Sequence, residues 1–192
     1  IENVSTVLSE KYDTRMKKLE EILTGSKYHV LRLVLDASEF GVPQKRKRAF
    51  FLITRKRLNE NDVAARLRGY NLPAAKVEEV LSGLPTPAVR PDDYGDEIDY
   101  GCIPNHLAMQ HSQRVIAKIA NIEPGKGPMS YRKLHPTRQS NTLFSGHRAP
   151  PAHFREPRSI TVREAARLQG FPDSFRIYGR FLGLSTTVAD AR

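Results

Sequence analysis

Apolar residues recur at two different periods along this chain, and the changes of period mark its elements. Between Ser9 and Leu23, the residues Tyr12, Met16, Leu19 and Leu23 fall on one face at helical spacing. Ser9 is placed to cap the start and Gly25 to stop the end. Tyr28 to Leu35 is rich in Val and Leu and predicts a strand, and Lys47 to Thr54 predicts a second. Ser38 to Pro43 connects them, with Gly41 and Pro43 as turn residues. The pair predicts a hairpin-like arrangement at a sheet edge. A helix alternating with strands is the mark of an α/β fold.

After Arg57 the pattern changes. From about Asn59 to Pro157 the chain is rich in Pro, Gly, Asn and His, with only two helical patterns. One lies near Ala75 to Leu81. The other runs from Asn105 to about Ile122, with Leu107, Val115, Ile116 and Ile119 as expected core positions. The rest has little period and predicts a smaller irregular domain or a long insertion. Order returns at Thr161-Val162-Arg163-Glu164, which fits a capping box. Val162, Ala165, Ala166 and Leu168 supply apolar packing. Gly170 ends that helix, and Pro172 prevents its continuation. The expected division is 1–57, 58–157 and 158–192.

Composition narrows the possible partners. The 192 residues carry a formal net charge of +10, which favours a polyanion. Nucleic acid is the commonest such partner. The single cysteine, Cys102, excludes a disulfide within the chain and a Cys-based zinc site. The six histidines do not pair at useful helical spacing with a Cys or a carboxylate. No apolar run approaches the ~20 residues of a membrane span, and no signal peptide is visible. These features predict a cytoplasmic, DNA-associated chain with no membrane partner. The first residue is Ile1, which predicts the later part of a longer polypeptide or a trimmed product.

The densest chemistry lies in Phe40-Gly41-Val42-Pro43-Gln44-Lys45-Arg46-Lys47-Arg48. Side chains alternate along a strand, so Arg46 and Arg48 share one face and Lys45 and Lys47 the other. A planar guanidinium suits a phosphate or a base edge better than an ammonium does. Together with Ile1-Glu2-Asn3-Val4 and the segment from Arg158 to Pro172, and in that order, this stretch resembles motifs VI, VIII and IX of the cytosine-5 DNA methyltransferases.

The resemblance implies the end of a Rossmann-like methyltransferase sheet plus a smaller target-recognition domain. It implies that Glu2 holds the cytosine ring at N3 and that Asn3 braces its loop. Arg48 would reach the base O2 and the Glu, while Arg46 and Gln44 would engage DNA or hold the loop. Read without it, Glu2 is a frayed chain end, and the arginines are a cationic edge that discourages strand aggregation. Arg163, Glu164 and Gln169 would belong to the structural motif IX helix. The middle would be the target-recognition region. There Tyr131 to Gly146 carries most of the candidate DNA contacts: Arg132, Lys133, Arg138, Gln139, Asn141 and Thr142, followed by His147 and Arg148. Half or more of such contacts go to phosphate, so each is more readily a positioning contact than a base reader.

Three departures from the family pattern qualify the resemblance. The sequence has no glycine-rich first strand and turn, and no Pro-Cys-Gln loop. Cys102 follows Glu2 rather than preceding it and reads as a small structural residue. The tail from Arg180 to Arg192 shows no Gly-Asn-Ala-Val segment. The expectation is the downstream part of a DNA (cytosine-5)-methyltransferase. It would use S-adenosylmethionine, with most of that site outside this chain, and be inactive without an upstream catalytic segment or subunit. That partner is expected to bind the sheet edge beside Tyr28–Leu35 and Lys47–Thr54. The alternatives are a non-catalytic DNA-binding remnant and, ranked low, a tRNA-directed relative.

Overall fold

In the computed structural model, which describes residues 1–89, 103–128, 131–143 and 150–177, the strand Lys47–Thr54 (β4) runs through the middle of a three-stranded sheet. On one side it pairs antiparallel with Glu2–Val4 (β1), and on the other with His29–Asp36 (β2). The short Gln44–Lys45 (β3) precedes it. The register sets Glu2 opposite Phe50, Val4 opposite Arg48, and Asp36 opposite Lys47. The two strands predicted from the sequence therefore form and pair. The expected docking edge is corrected, however: both sides of β4 are already hydrogen-bonded, so it offers no edge. The outer sides of β1 and β2 bound this sheet.

Strand alternation decides which face the first helix covers. Ala49, Phe51 and Ile53 point to one side of β4, and the helix Glu10–Gly25 (α1) lays Met16 against them. Val7, Leu8 and Val30 close the cluster. Burying Met16 and Phe51 contributes about 1.5–3 kcal/mol each. Of the predicted helix face, Met16 is buried and Tyr12 and Leu23 are half-buried, whereas Leu19 stays exposed.

A second helix, Glu60–Arg68 (α2), was not evident from the sequence. Asn59 starts it, accepting hydrogen bonds from the N–H groups of Asn61 and Asp62. Its apolar positions Val63, Ala64 and Leu67 are only half-buried among charged neighbours, which leaves a faint periodic signal. The Leu72 N–H then donates to Glu39 O at 2.9 Å, tying the segment back. The first compact unit extends over Ile1–Ala74.

The second unit spans Ala75–Arg192. Its core joins Val77 and Leu81 of the helix Val77–Leu81 (α3) to Leu134, Phe154, Ile160 and Leu168. Ala88–Val89 (β5) pairs in parallel with Leu107–Ala108 (β6). The helix expected from Asn105 begins only at Gln113 and runs to Ala120 (α4). Asn105 adopts a left-handed φ of 64° and Leu107–Ala108 pairs as strand, so helical geometry is excluded until Ser112. Ser140–Asn141 (β7) and Val162–Arg167 (α5) complete the elements.

The predicted capping box is present at α5. Thr161 Oγ1 accepts from the Glu164 N–H at 3.1 Å, and the Glu164 carboxylate accepts from the Thr161 N–H at 2.7 Å. The Thr161 hydroxyl also donates to His106 Nδ1, because His106 Nε2–H is spent on Pro85 O. Arg163 is fully buried and donates to the carbonyls of Pro104, Pro172 and Phe175.

Arg158 and Glu164 form a buried pair with two hydrogen bonds, at 2.7 and 2.8 Å, and His153 lies beside it. Burial would push the Glu164 carboxyl up. The Arg158 hydrogen bonds and charge and the Thr161 N–H outweigh it, and the net shift is downward. Burial also pushes His153 down, against the pull of Glu164. Both shifts act in one direction. Below the ordinary His value of 6.5 the unfolded chain takes up a proton that folded His153 resists, so stability falls as pH drops. Glu164 adds a further loss below its ordinary 4.5, as its own lowered value is approached. Thermal melts followed by circular dichroism should give a lower Tm at pH 5 than at pH 7.5, and His153→Gln should flatten the part between pH 6.5 and 5. A Tm independent of pH across this range would contradict the assignment.

Candidate active-site residues and nucleic-acid interface

The β1–β4 register turns two distant sequence motifs into one pair. Glu2 and Val4 share a sheet face with Arg48 and Phe50, and Glu2 lies diagonally across from Arg48. Arg48 Nε lies 3.0 Å from Glu2 Oε1 in an ion pair, and Nη1 donates to Lys47 O at 2.8 Å. Among the described residues Nη2 makes no hydrogen bond. The Arg48 side chain is 18% exposed while that of Glu2 is 51% exposed. The cation is thus held in place, and the carboxylate is reachable from outside. Asn3 Oδ1 accepts from the Val4 N–H at 2.8 Å, a local brace at this strand.

Exposure alternates along the basic run as the strand period requires. Lys45 and Lys47 are exposed, whereas Arg46 and Arg48 are half-buried. Gln44 is fully buried, and neither its amide nitrogen nor its amide oxygen finds a hydrogen-bond partner among the described residues. An unpaired buried polar group costs about 1–3 kcal/mol. A cleft of about 710 Å³ in this unit lies elsewhere, among Glu20, Thr24, His29, Thr54 and Arg57. That is the opposite end of β2 and β4 from Asp36 and Lys47.

The loop that carries the basic run is held by a residue not singled out from the sequence. One oxygen of Asp36 accepts from the N–H of Ser38 at 3.1 Å, from the Ser38 hydroxyl at 2.9 Å and from the N–H of Arg46 at 3.1 Å. Asp followed two residues later by Ser is a recognised turn signal and could have marked it.

In the second unit the candidate contacts do not gather into one set. Arg132, Arg138 and Asn141 are exposed, and Gln139 and Thr142 are half-buried. Lys133 is only 7% exposed, so it does not stand on the open surface expected of it. Its main chain bonds to Gly125 N and to Lys126 O. Cys102, His147 and Arg148 lie outside the described residues. Glu164 and Arg163 are buried within the motif IX helix, and Gln169 is exposed and bonds back to Ala165 O. Among the described residues no cluster of His, Cys, Asp or Glu is placed to hold a metal ion. No described helix is long and apolar enough to cross a membrane.

The Glu2–Arg48 pair sits on a three-stranded sheet with α1 packed against its other face, an α/β arrangement. A family model for C-5 cytosine-specific DNA methylases matches residues 1–182, and the chain belongs to this family. It is 27% identical to the type II methyltransferase M.DdeI of Desulfomicrobium norvegicum, over 94% of this chain and 54% of that protein. It is 29% identical to the type II methyltransferase M.BbvI of Brevibacillus brevis, over 84% of this chain and 45% of that protein. Among solved structures, a prophage-encoded E. coli protein assigned as a DNA modification methyltransferase superposes with a TM-score of 0.67 at 26% identity. The match covers 92% of this chain and 60% of that one. The S. pombe Dnmt2 methyltransferase shares the fold, with a TM-score of 0.52 at 18% identity. The chain spans about half the length of the curated relatives it matches.

The family uses S-adenosylmethionine, and the glycine-rich first strand and turn expected to hold it are not in this sequence. The glycine between the two longer strands, Gly41, has a φ of 81°, and a Cβ there would meet Leu72 at 3.2 Å. That space is filled by the protein's own side chain rather than left for a ligand.

Proposed function

We propose that this chain is the downstream part of a DNA (cytosine-5)-methyltransferase, which methylates C5 of a cytosine turned out of duplex DNA. The observation that carries the proposal is the Arg48–Glu2 pair at 3.0 Å. A carboxyl at the N3 edge of a cytosine can share a proton there, and a fixed guanidinium beside it can donate to O2. Arg48 has Nη2 left for that donation. The charge that builds on the ring during attack at C6 is then met by groups already in place.

S-adenosylmethionine supplies the methyl group in this reading, from a site formed by another part of the enzyme. The thiolate that attacks C6 comes from there too, since the sequence holds no Pro-Cys-Gln loop. The outer side of β1, which bounds the described sheet, gives that part somewhere to bond. Methyl transfer by this chain with and without such a part tests the proposal.

The missing nucleophile loop also favours a second reading, a DNA-binding remnant without catalysis. Both readings require duplex binding through the excess of cations. Binding of labelled duplex is expected to weaken steeply with salt, the slope of log K against log salt changing by about −0.9 for each phosphate neutralised. Sequence preference should be slight. A flat salt response, or no binding at low salt, would remove DNA as the partner.

A further inference from the structure

We infer that Asp36 is a positioning residue for the Arg48–Glu2 pair, acting through the loop between β2 and β4. The inference rests on the catalytic reading of that pair given above. Ten residues, Ala37 to Arg46, leave the end of β2 and return to the start of β4. A loop of that length needs a closure at its base, where it enters the strand that carries Arg48. Asp36 supplies that closure with one carboxylate oxygen, which accepts from Ser38 N–H and hydroxyl at the outgoing side and from Arg46 N–H at the returning side. The Ala37 N–H donates to Arg46 O at 3.0 Å, so the two sides are clamped twice.

The far end of the loop is held separately. Phe40 bridges to Leu72, and Leu72 packs on Gly41. Pro43 has no N–H to contribute. Asp36 is therefore the single described side chain that joins the loop's start to Arg46, two residues from the guanidinium that grips Glu2. The hydrogen bonds also overcome the effect of burial and hold this carboxyl below its ordinary range, so it is an anion and a full acceptor at neutral pH.

The test uses the 192-residue chain labelled with nitrogen-15. The Nε–H signal of Arg48, assigned by its loss in Arg48→Ala, reports the ion pair with Glu2. Asp36→Ala is expected to move it to the position seen in Glu2→Ala, where the partner is gone. Asp36→Asn keeps an oxygen acceptor at the same place and is expected to leave it near its wild-type position. An unchanged Arg48 signal in Asp36→Ala would overturn the inference, whatever happens to Tm. So would an Asp36→Asn chain that folds yet behaves like Asp36→Ala. With the upstream part supplied, Asp36→Ala should lower kcat about 100-fold, the scale of a misplaced catalytic group. KM for DNA should stay within about threefold of wild type, and Asp36→Asn should recover most of kcat. A fall in DNA affinity with kcat unchanged would also overturn it. If the wild-type mixture transfers no methyl group, the methyltransferase reading fails, while the Arg48 signal still decides whether Asp36 positions it.

Discussion

Methyl transfer to DNA is expected from this chain only when a segment carrying the missing motifs is added. The 192 residues acting alone should give no incorporation above background. Glu2 and Arg48 can stabilise charge on a cytosine ring, but neither is a nucleophile able to open a covalent path through C6. The sequence has one thiol, Cys102, and it follows the Glu2 motif instead of preceding it. Nor does the sequence hold the glycine-rich first strand and turn that the family resemblance assigns to the cofactor. The curated relatives are about twice as long as their match to this chain, which leaves room in them for both missing parts. The assay is tritiated methyl incorporation from S-adenosylmethionine into duplex DNA by the chain, by an upstream segment with the Pro-Cys-Gln loop and glycine-rich strand, and by both together. Activity only in the mixture is the expected result. Robust incorporation by this chain alone would overturn the divided active site. Failure of every mixture, with salt-dependent DNA binding intact, would favour the non-catalytic remnant.

Much of the first unit was legible because its signals are local. The strand Lys47–Thr54 is bounded as its apolar run predicts, and the capping box at Thr161 reads directly from two side chains three residues apart. What stayed hidden depends on partners far away in sequence. The place of β4 between β1 and β2 follows from pairing Glu2 with Phe50, a separation no periodicity reports. Asn105 to Ser112 looked helical by its apolar spacing, but pairing with Ala88–Val89 and a left-handed Asn105 outweigh that pattern. Lys133 looked like a surface cation, since charge alone does not tell which lysine stem is packed inside. The closeness of Glu2 and Arg48 was anticipated from family resemblance, not from spacing. Their distance and the Asp36 clamp behind them emerge only in three dimensions.

Replacing Arg48 should damage turnover far more than DNA affinity. In a complemented enzyme, Arg48→Ala is expected to lower kcat by about 100-fold or more, the usual loss when one preorganised charge-stabilising donor is removed. The Arg48 side chain is only 18% exposed and is ion-paired with Glu2, so it is poorly placed to trade contacts with phosphate. Its loss would leave Glu2 unanchored at the strand mouth and leave the base without the donor proposed for O2. Arg48→Lys should rescue little, because an ammonium cannot span both groups as a planar fork does. Arg46 provides the contrast. It is half-buried, and no hydrogen bond or ion pair engages its guanidinium among the described residues. Arg46→Ala should therefore weaken duplex binding and reduce the salt slope by about one phosphate, with a smaller effect on kcat. Circular dichroism of each variant checks that the sheet persists. Single-turnover methylation close to wild type in Arg48→Ala would take Arg48 out of the active site. Equal losses of DNA affinity in both arginine variants, with no separate loss of kcat, would recast the pair as a plain phosphate-binding edge.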